Sequence, residues 1–301
     1  MLQWRTMLRW WKSWRWPLAA ILVAAALTTA AELALRSRYR RHVLQRVAPA
    51  PGQATVVALG DSIAAGGWPA LLAERLRAAY PAVTWRMVNA GLPGDTAPRG
   101  YARFERDAAA AGPQAALIAF GLNDCYPARH GMDREWELSV PNGLERSYLW
   151  RAVQARIISL ARRGRPLPAA QPEEAPQPFP RTSAAGFADA LAALVAATRA
   201  IGARPVLVTM TPLADAETEA TRIRAATYAA YNRIIRTVAS QTRVPLVELA
   251  LRPADGIPLA SLLLPDGVHL TAAGQDWAAE QIFRQLAAAG FWQTLAEEAA
   301  R

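Results

Sequence analysis

Cysteine and histidine are scarce. A single cysteine, Cys125, stands in 301 residues, so no intrachain disulfide can form and disulfides say nothing about redox compartment. Histidine occurs three times, as His42, His130 and His269. None of them falls in the paired Cys/His spacing of a metal site, and any imidazole base has to be one of the three. No internal repeat is found. Excess basic charge is missing from most of the chain. The formal net charge is +10, yet residues 1–46 carry nine Arg/Lys against the one acid Glu32, whereas residues 47–301 carry 25 against 23. The body is close to neutral, which argues against a nucleic-acid-binding face on it. What the chain has in quantity is apolar side chains, 52% by composition, enough for one sizeable core.

The basic excess sits beside tryptophan. Residues 1–16 interleave Trp4, Trp10, Trp11, Trp14 and Trp16 with Arg5, Arg9, Lys12 and Arg15. Tryptophan favours a membrane–water interface, where its ring is apolar and its N–H stays wet. The run 17–35 that follows is just long enough to span a bilayer core, although Glu32 shortens its uncharged part. Residues 1–35 therefore read as a basic, Trp-rich segment with a single membrane anchor. A cleaved signal peptide, with Thr29-Ala30-Ala31 as the small-residue site, is the alternative, in which case the protein is secreted. Four positive side chains precede the apolar run and five follow it, so charge does not set the orientation. A basic terminus before a first apolar segment is the layout of export, and the body is expected outside the cytoplasm, on the periplasmic or outer face. Residues 36–53 read as a linker.

From residue 54 to residue 301 the pattern is that of one folded α/β domain. Strands are expected at 54–59, 83–88, 115–120, 206–210 and 244–249, the first and third of them apolar runs, and helical patterns occur at 69–79, 99–111, 184–201, 221–241 and 271–289. Tyr80-Pro81 stops the first helix, Thr182 or Ser183 caps the third, and Gly202 and Gly290 close the third and last. Strands alternating with helices mean a mainly parallel five-stranded sheet covered on both faces. Residues 126–182 break the rhythm, being long for a loop between a strand and its helix. They read as an inserted helix, 148–163, followed by a Pro-rich surface stretch, 164–180; a lid is the sharper reading.

Four blocks carry chemistry. Gly60-Asp61-Ser62-Ile63 follows the first strand and can hold a hydroxyl at the carboxyl edge of the sheet, where ligands bind in open α/β folds; a serine there is also an ordinary helix cap. The others are Asn89-Ala90-Gly91-Leu92-Pro93-Gly94-Asp95-Thr96, Gly121-Leu122-Asn123-Asp124 and Asp266-Gly267-Val268-His269. Asp266 and His269 read either as a carboxylate–imidazole pair, as capping ahead of Thr271, or as part of a metal site. No Gly-x-Ser-x-Gly elbow surrounds Ser62, which argues against an α/β-hydrolase.

Taken together and in this order, the blocks resemble the SGNH hydrolase family, the GDSL esterases and lipases, over about residues 55–290. The resemblance implies a flavodoxin-like α/β/α three-layer sandwich and a serine esterase of carboxylic esters. It implies Ser62 as nucleophile, His269 as base and Asp266 as its partner, with an oxyanion hole from the N–H groups of Ser62 and Gly94 and the Asn123 side chain. No metal or cofactor is implied. Asp61, Asn89, Asp95 and Asp124 read as structural ties, Gly91 as a simple turn, and Cys125 as an ordinary buried thiol. The expected substrate is a small-molecule, glycan or lipid ester. Transfer of the acyl group to a cell-envelope glycan, or an inactive membrane-tethered binding module, are the other readings left open; protein partners are not identified.

Overall fold

The computed structural model describes residues 17, 20, 22–35, 37, 50–126, 180–214, 219–251 and 256–300. The chain divides into two compact units, and the larger, Gln45–Val140 with Gln171–Arg301, contains every element labelled below. In the other unit residues 22–35 are helical, with Leu22, Val23, Leu27 and Leu33 exposed. Among the described residues no helix is long and apolar enough to cross a membrane. The expected span, 17–35, includes residues 18, 19 and 21, which lie outside the described ones, as do 127–179 of the insertion with its expected helix.

The larger unit runs β1 (Gln53–Gly60), α1 (Ser62–Ala65), α2 (Trp68–Ala79), β2 (Thr84–Gly91), α3 (Ala97–Asp107), β3 (Ala115–Ala119), α4 (Leu122–Cys125), α5 (Ala184–Ala200), β4 (Arg204–Val208), α6 (Glu219–Thr242), β5 (Leu246–Val247), α7 (Leu259–Leu262), α8 (Ala272–Ala288) and α9 (Phe291–Ala299). The sheet order is β2-β1-β3-β4-β5, and every neighbouring pair is parallel. β1, β3 and β4 are apolar through their buried stretches, 56–59, 115–118 and 205–208, because both faces are covered. The edge strand β2, by contrast, carries exposed Arg86 and Asn89. Val56 and Ala58 of β1 point into a core with Leu72 of α2, Ile282 of α8 and Trp292 of α9. Val57 and Leu59 point the other way, into a core with Phe104 of α3, Leu191 of α5 and Ile235 of α6. The product is the expected three-layer sandwich in flavodoxin-like order.

Three departures from the sequence reading have physical causes. β5 is two residues long where 244–249 reads as a strand. Beyond Val247 side chains take over the ladder: Thr209 Oγ1 accepts from the N–H groups of Leu249 and Ala250 (2.7 and 3.0 Å), and Gln285 Oε1 accepts from Glu248 N–H at 2.8 Å. Gly290, with φ +67°, ends α8 and also begins α9, whose Trp292 packs edge-on to Trp85. The helices α1, α4 and α7, at four residues each, are too short to register as a helical period. Ser183 is the cap of α5, its Oγ accepting from Gly186 N–H at 3.1 Å. The two ends of the insertion are pinned side by side, since Arg181 N–H donates to the Tyr126 carbonyl (2.8 Å) and Thr182 N–H to that of Asp124 (3.1 Å).

Candidate active site

The strand order reverses between β1 and β3, the point at which open α/β sheets bind ligands beyond the carboxyl ends of their strands. Gly60-Asp61-Ser62 leaves β1 there and Gly121-Leu122-Asn123 leaves β3. The Asp266–His269 loop lies over the same edge. It is shaped by Gly267 at φ +72°, by Leu264 N–H donating to the His269 carbonyl at 2.7 Å and by Ala214 N–H donating to that of Gly267 at 3.1 Å.

Ser62 Oγ lies 2.9 Å from His269 Nε2 although 207 residues separate them in sequence. On the far side of the ring, Nδ1 lies 2.6 Å from Asp266 Oδ2. An ionised carboxylate only accepts, so the proton belongs on Nδ1 and leaves Nε2 free to accept from the hydroxyl. Asp266 Oδ1 accepts from the backbone N–H groups of Val268 and His269, both at 3.0 Å. Burial raises the Asp266 carboxyl, but those two amides and the His269 ring outweigh it and hold it below its ordinary value. The cap of the following helix is Thr271 itself, through Gly274 N–H at 3.1 Å, so the Asp266–His269 pair is not its cap. Among the described residues no group of three His, Cys, Asp or Glu is arranged to hold a metal; His42 and His130 lie outside those residues.

The remaining predicted positions lie at or just beyond the carboxyl ends of β1, β2 and β3. Asn123 follows β3, and its Nδ2 is buried with no hydrogen-bond partner among the described residues. A buried amide donor left unmatched is costly unless something else in the site accepts from it. Gly94 has φ +78° and open space where a Cβ would stand, and Arg181 Nη1 donates to its carbonyl at 3.2 Å. Asn89 Nδ2 donates to the Ala64 carbonyl at 3.1 Å while its Oδ1 accepts from Gly91 N–H at 2.9 Å. Asp124 spreads both oxygens over Ala97 N–H at the start of α3 (3.1 and 3.2 Å). Cys125 is a buried thiol, as expected, pushed up by burial. Gly91 is not the simple turn its sequence context implies. It ends β2 hard against α1, and a Cβ there would stand 2.3 Å from the Ala65 nitrogen, so the close approach itself requires glycine.

Asp61 caps α1, its Oδ1 accepting from Ile63 N–H at 2.9 Å. Burial raises its carboxyl to about 7, the Ile63 amide pulling it down and neighbouring Asp95 pushing it up. Between its ordinary value of 3.8 and about 7, the folded protein keeps a proton that the unfolded chain has lost. Stability therefore falls as pH rises through that window. Asp61→Asn keeps the accepting oxygen and removes the titration. The expected outcome is that the wild type loses up to about 4 kcal/mol relative to Asp61→Asn between pH 4 and 7. Denaturant midpoints measured at both pH values check it; parallel curves would contradict it.

Sequence reasoning missed Arg103. Its guanidinium reaches Asp95 Oδ2 (2.7 Å), Asp107 Oδ2 (3.1 Å) and the Gly60 carbonyl (3.1 Å). The available signal was its place on the Ala97–Gly100–Phe104 face of α3, the buried one, where a charge is anomalous unless paired.

Residues 58–277 match the GDSL-like lipase/acylhydrolase family. No curated protein matches the chain. Among solved structures, a lipase/acylhydrolase from Enterococcus faecalis is similar with a TM-score of 0.53 and 19% identity over 78% of this chain and 96% of that one. A catalytic mutant of an acetylxylan esterase from Geobacillus stearothermophilus is similar with a TM-score of 0.53 and 19% identity over 80% and 96%. At such identities the likeness speaks for the fold. The family match reaches from within β1 to within α8, and on that ground the chain belongs to the GDSL-like lipase/acylhydrolase family and is an ester-hydrolysing enzyme.

Proposed function

We propose that the enzyme cleaves a carboxylic ester through an acyl-Ser62 intermediate, with His269 as base and acid and Asp266 as its orienting partner. The observation that carries this reading is the unbroken run of short contacts, 2.9 Å from Ser62 Oγ to His269 Nε2 and 2.6 Å from Nδ1 to Asp266. Ser62 Oγ attacks the carbonyl carbon as its proton passes to Nε2. The oxyanion formed faces the N–H groups of Ser62 and Gly94 and the Asn123 Nδ2, whose lack of a partner among the described residues supports the assignment. Collapse expels the alcohol, which leaves with the proton from Nε2. Water then adds to the acyl carbon, His269 takes its proton, and the carboxylic acid departs as Ser62 regains its hydrogen. Nδ1 keeps its hydrogen bond to Asp266 throughout.

The N-terminal segment holds this enzyme on a membrane with the catalytic unit outside the cytoplasm. The Trp/Arg pattern of residues 1–16 and the exposed Leu22, Val23, Leu27 and Leu33 support the anchoring, and the basic terminus ahead of a first apolar segment supports the side. Fluorophosphonate labelling of membrane and soluble fractions tests both parts at once. A Ser62-dependent label in the membrane fraction is expected; a label elsewhere on the chain, or none, ends the acyl-serine reading, and a label in the soluble fraction ends the anchoring. Running p-nitrophenyl acetate turnover with and without a glycan acceptor separates water from a sugar hydroxyl as acceptor. Asn123→Ala should lower kcat by about 10²–10³-fold with little change in KM; an unchanged kcat would remove Asn123 from the oxyanion site.

A further inference from the structure

The three loops assigned to the oxyanion site all come back to one helix. Asp124, beside Asn123, spreads its carboxylate over the first amide of α3 at Ala97. From the second turn of the same helix Arg103 reaches the other two loops. Nε donates to Asp95, the residue after Gly94, at 2.7 Å, and Nη2 donates to the carbonyl of Gly60, two residues before Ser62, at 3.1 Å. Leu92 N–H shares that carbonyl at 3.0 Å, so the end of β1 and the loop after β2 meet at one oxygen with Arg103 bracing it. Nη1 spends its hydrogen on Asp107, one turn on, at 3.1 Å, which fixes the guanidinium plane relative to the helix. The Arg103 side chain is 9% exposed and that of Asp95 2%, so neither water nor salt competes effectively for these bonds.

We propose that Arg103 is a positioning residue for catalysis, setting the distance between the Ser62 and Gly94 amides and with it the width of the oxyanion site. Only a planar fork with donors in three directions spans Asp95, Asp107 and Gly60 together; a lysine ammonium on the same stem reaches one or two of them. The inference rests on the acyl-Ser62 reading above.

Its test uses Arg103→Lys, which keeps the charge and loses the fork, and the double variant Asp95→Asn/Arg103→Gln, which removes both buried charges together and so leaves neither stranded. Thermal midpoint, fluorophosphonate labelling rate, and kcat and KM for p-nitrophenyl acetate are measured beside wild type and Ser62→Ala. The expected result is a folded double variant with kcat and labelling rate down by about 10²-fold, KM within about twofold, and Arg103→Lys in between, since a displacement near 1 Å costs rate on this scale. Folded variants with wild-type kcat, or losses that track the unfolded fraction, overturn the proposal. A wild type that the probe does not label at Ser62 overturns the acyl-serine reading instead, and the two failures are told apart by that control.

Discussion

Ser62→Ala should lower ester turnover by roughly 10⁶-fold with the fold intact. The hydroxyl lies 2.9 Å from His269 Nε2, placed to lose its proton there, and alanine has no replacement nucleophile. The fold has little stake in that oxygen. The cap of α1 is the Asp61 side chain, and alanine suits the first helical position. His269→Ala should cost about as much, and the pair together hardly more, because nucleophile and base act as one unit and removing either disables both. Residual turnover above that of buffer would come from the oxyanion donors, which neither substitution touches. Active-site titration with p-nitrophenyl acetate, alongside thermal melts, checks the set. Ser62→Ala retaining turnover within about tenfold of wild type would end the acyl-serine proposal, as would losses in the two single variants that multiply in the double.

The legible parts of this chain are those where local sequence and tertiary role coincide. β1, β3 and β4 are visible because burial on both faces demands runs such as Val56 to Leu59, Ala115 to Ile118 and Val206 to Val208, and nothing polar interrupts those runs. Ser62, Asn123, Asp266 and His269 are visible because each sits at a strand end or helix entry with a recognisable neighbourhood. What stayed hidden depends on residues far apart in sequence. The shortness of β5 is decided by Thr209 and Gln285, side chains on other elements that capture its amides. Gly91 looks like a turn until α1 is known to press on it. Arg103 falls on the buried face of α3, but what it pairs with stays hidden until Gly60, 43 residues earlier, is found at its tip. The α9 helix was obscured by a correct signal, since Gly290 does stop α8 and the stop says nothing about what begins there.

Asp266→Asn is the sharper test of how the imidazole is held, and the expected loss in kcat is about 10⁴-fold. Asp266 does two jobs with two oxygens. Oδ1 closes its own loop on the amides of Val268 and His269, and Oδ2 accepts the hydrogen bond from Nδ1–H. Asparagine has one oxygen. If that oxygen keeps the two backbone amides, its NH₂ group faces Nδ1, which must then accept and shed its hydrogen. The proton moves to Nε2, where it points at Ser62 and blocks the transfer that starts the reaction. The loop survives, so the thermal midpoint should stay near that of wild type and KM should change little. Asp266→Ala serves as the contrast. It removes the loop acceptor as well, so it should lose activity together with some stability. The decisive comparison is kcat in the asparagine variant: a value within about tenfold of wild type would mean that Asp266 only shapes the loop, and that the ring finds its tautomer without a carboxylate behind it.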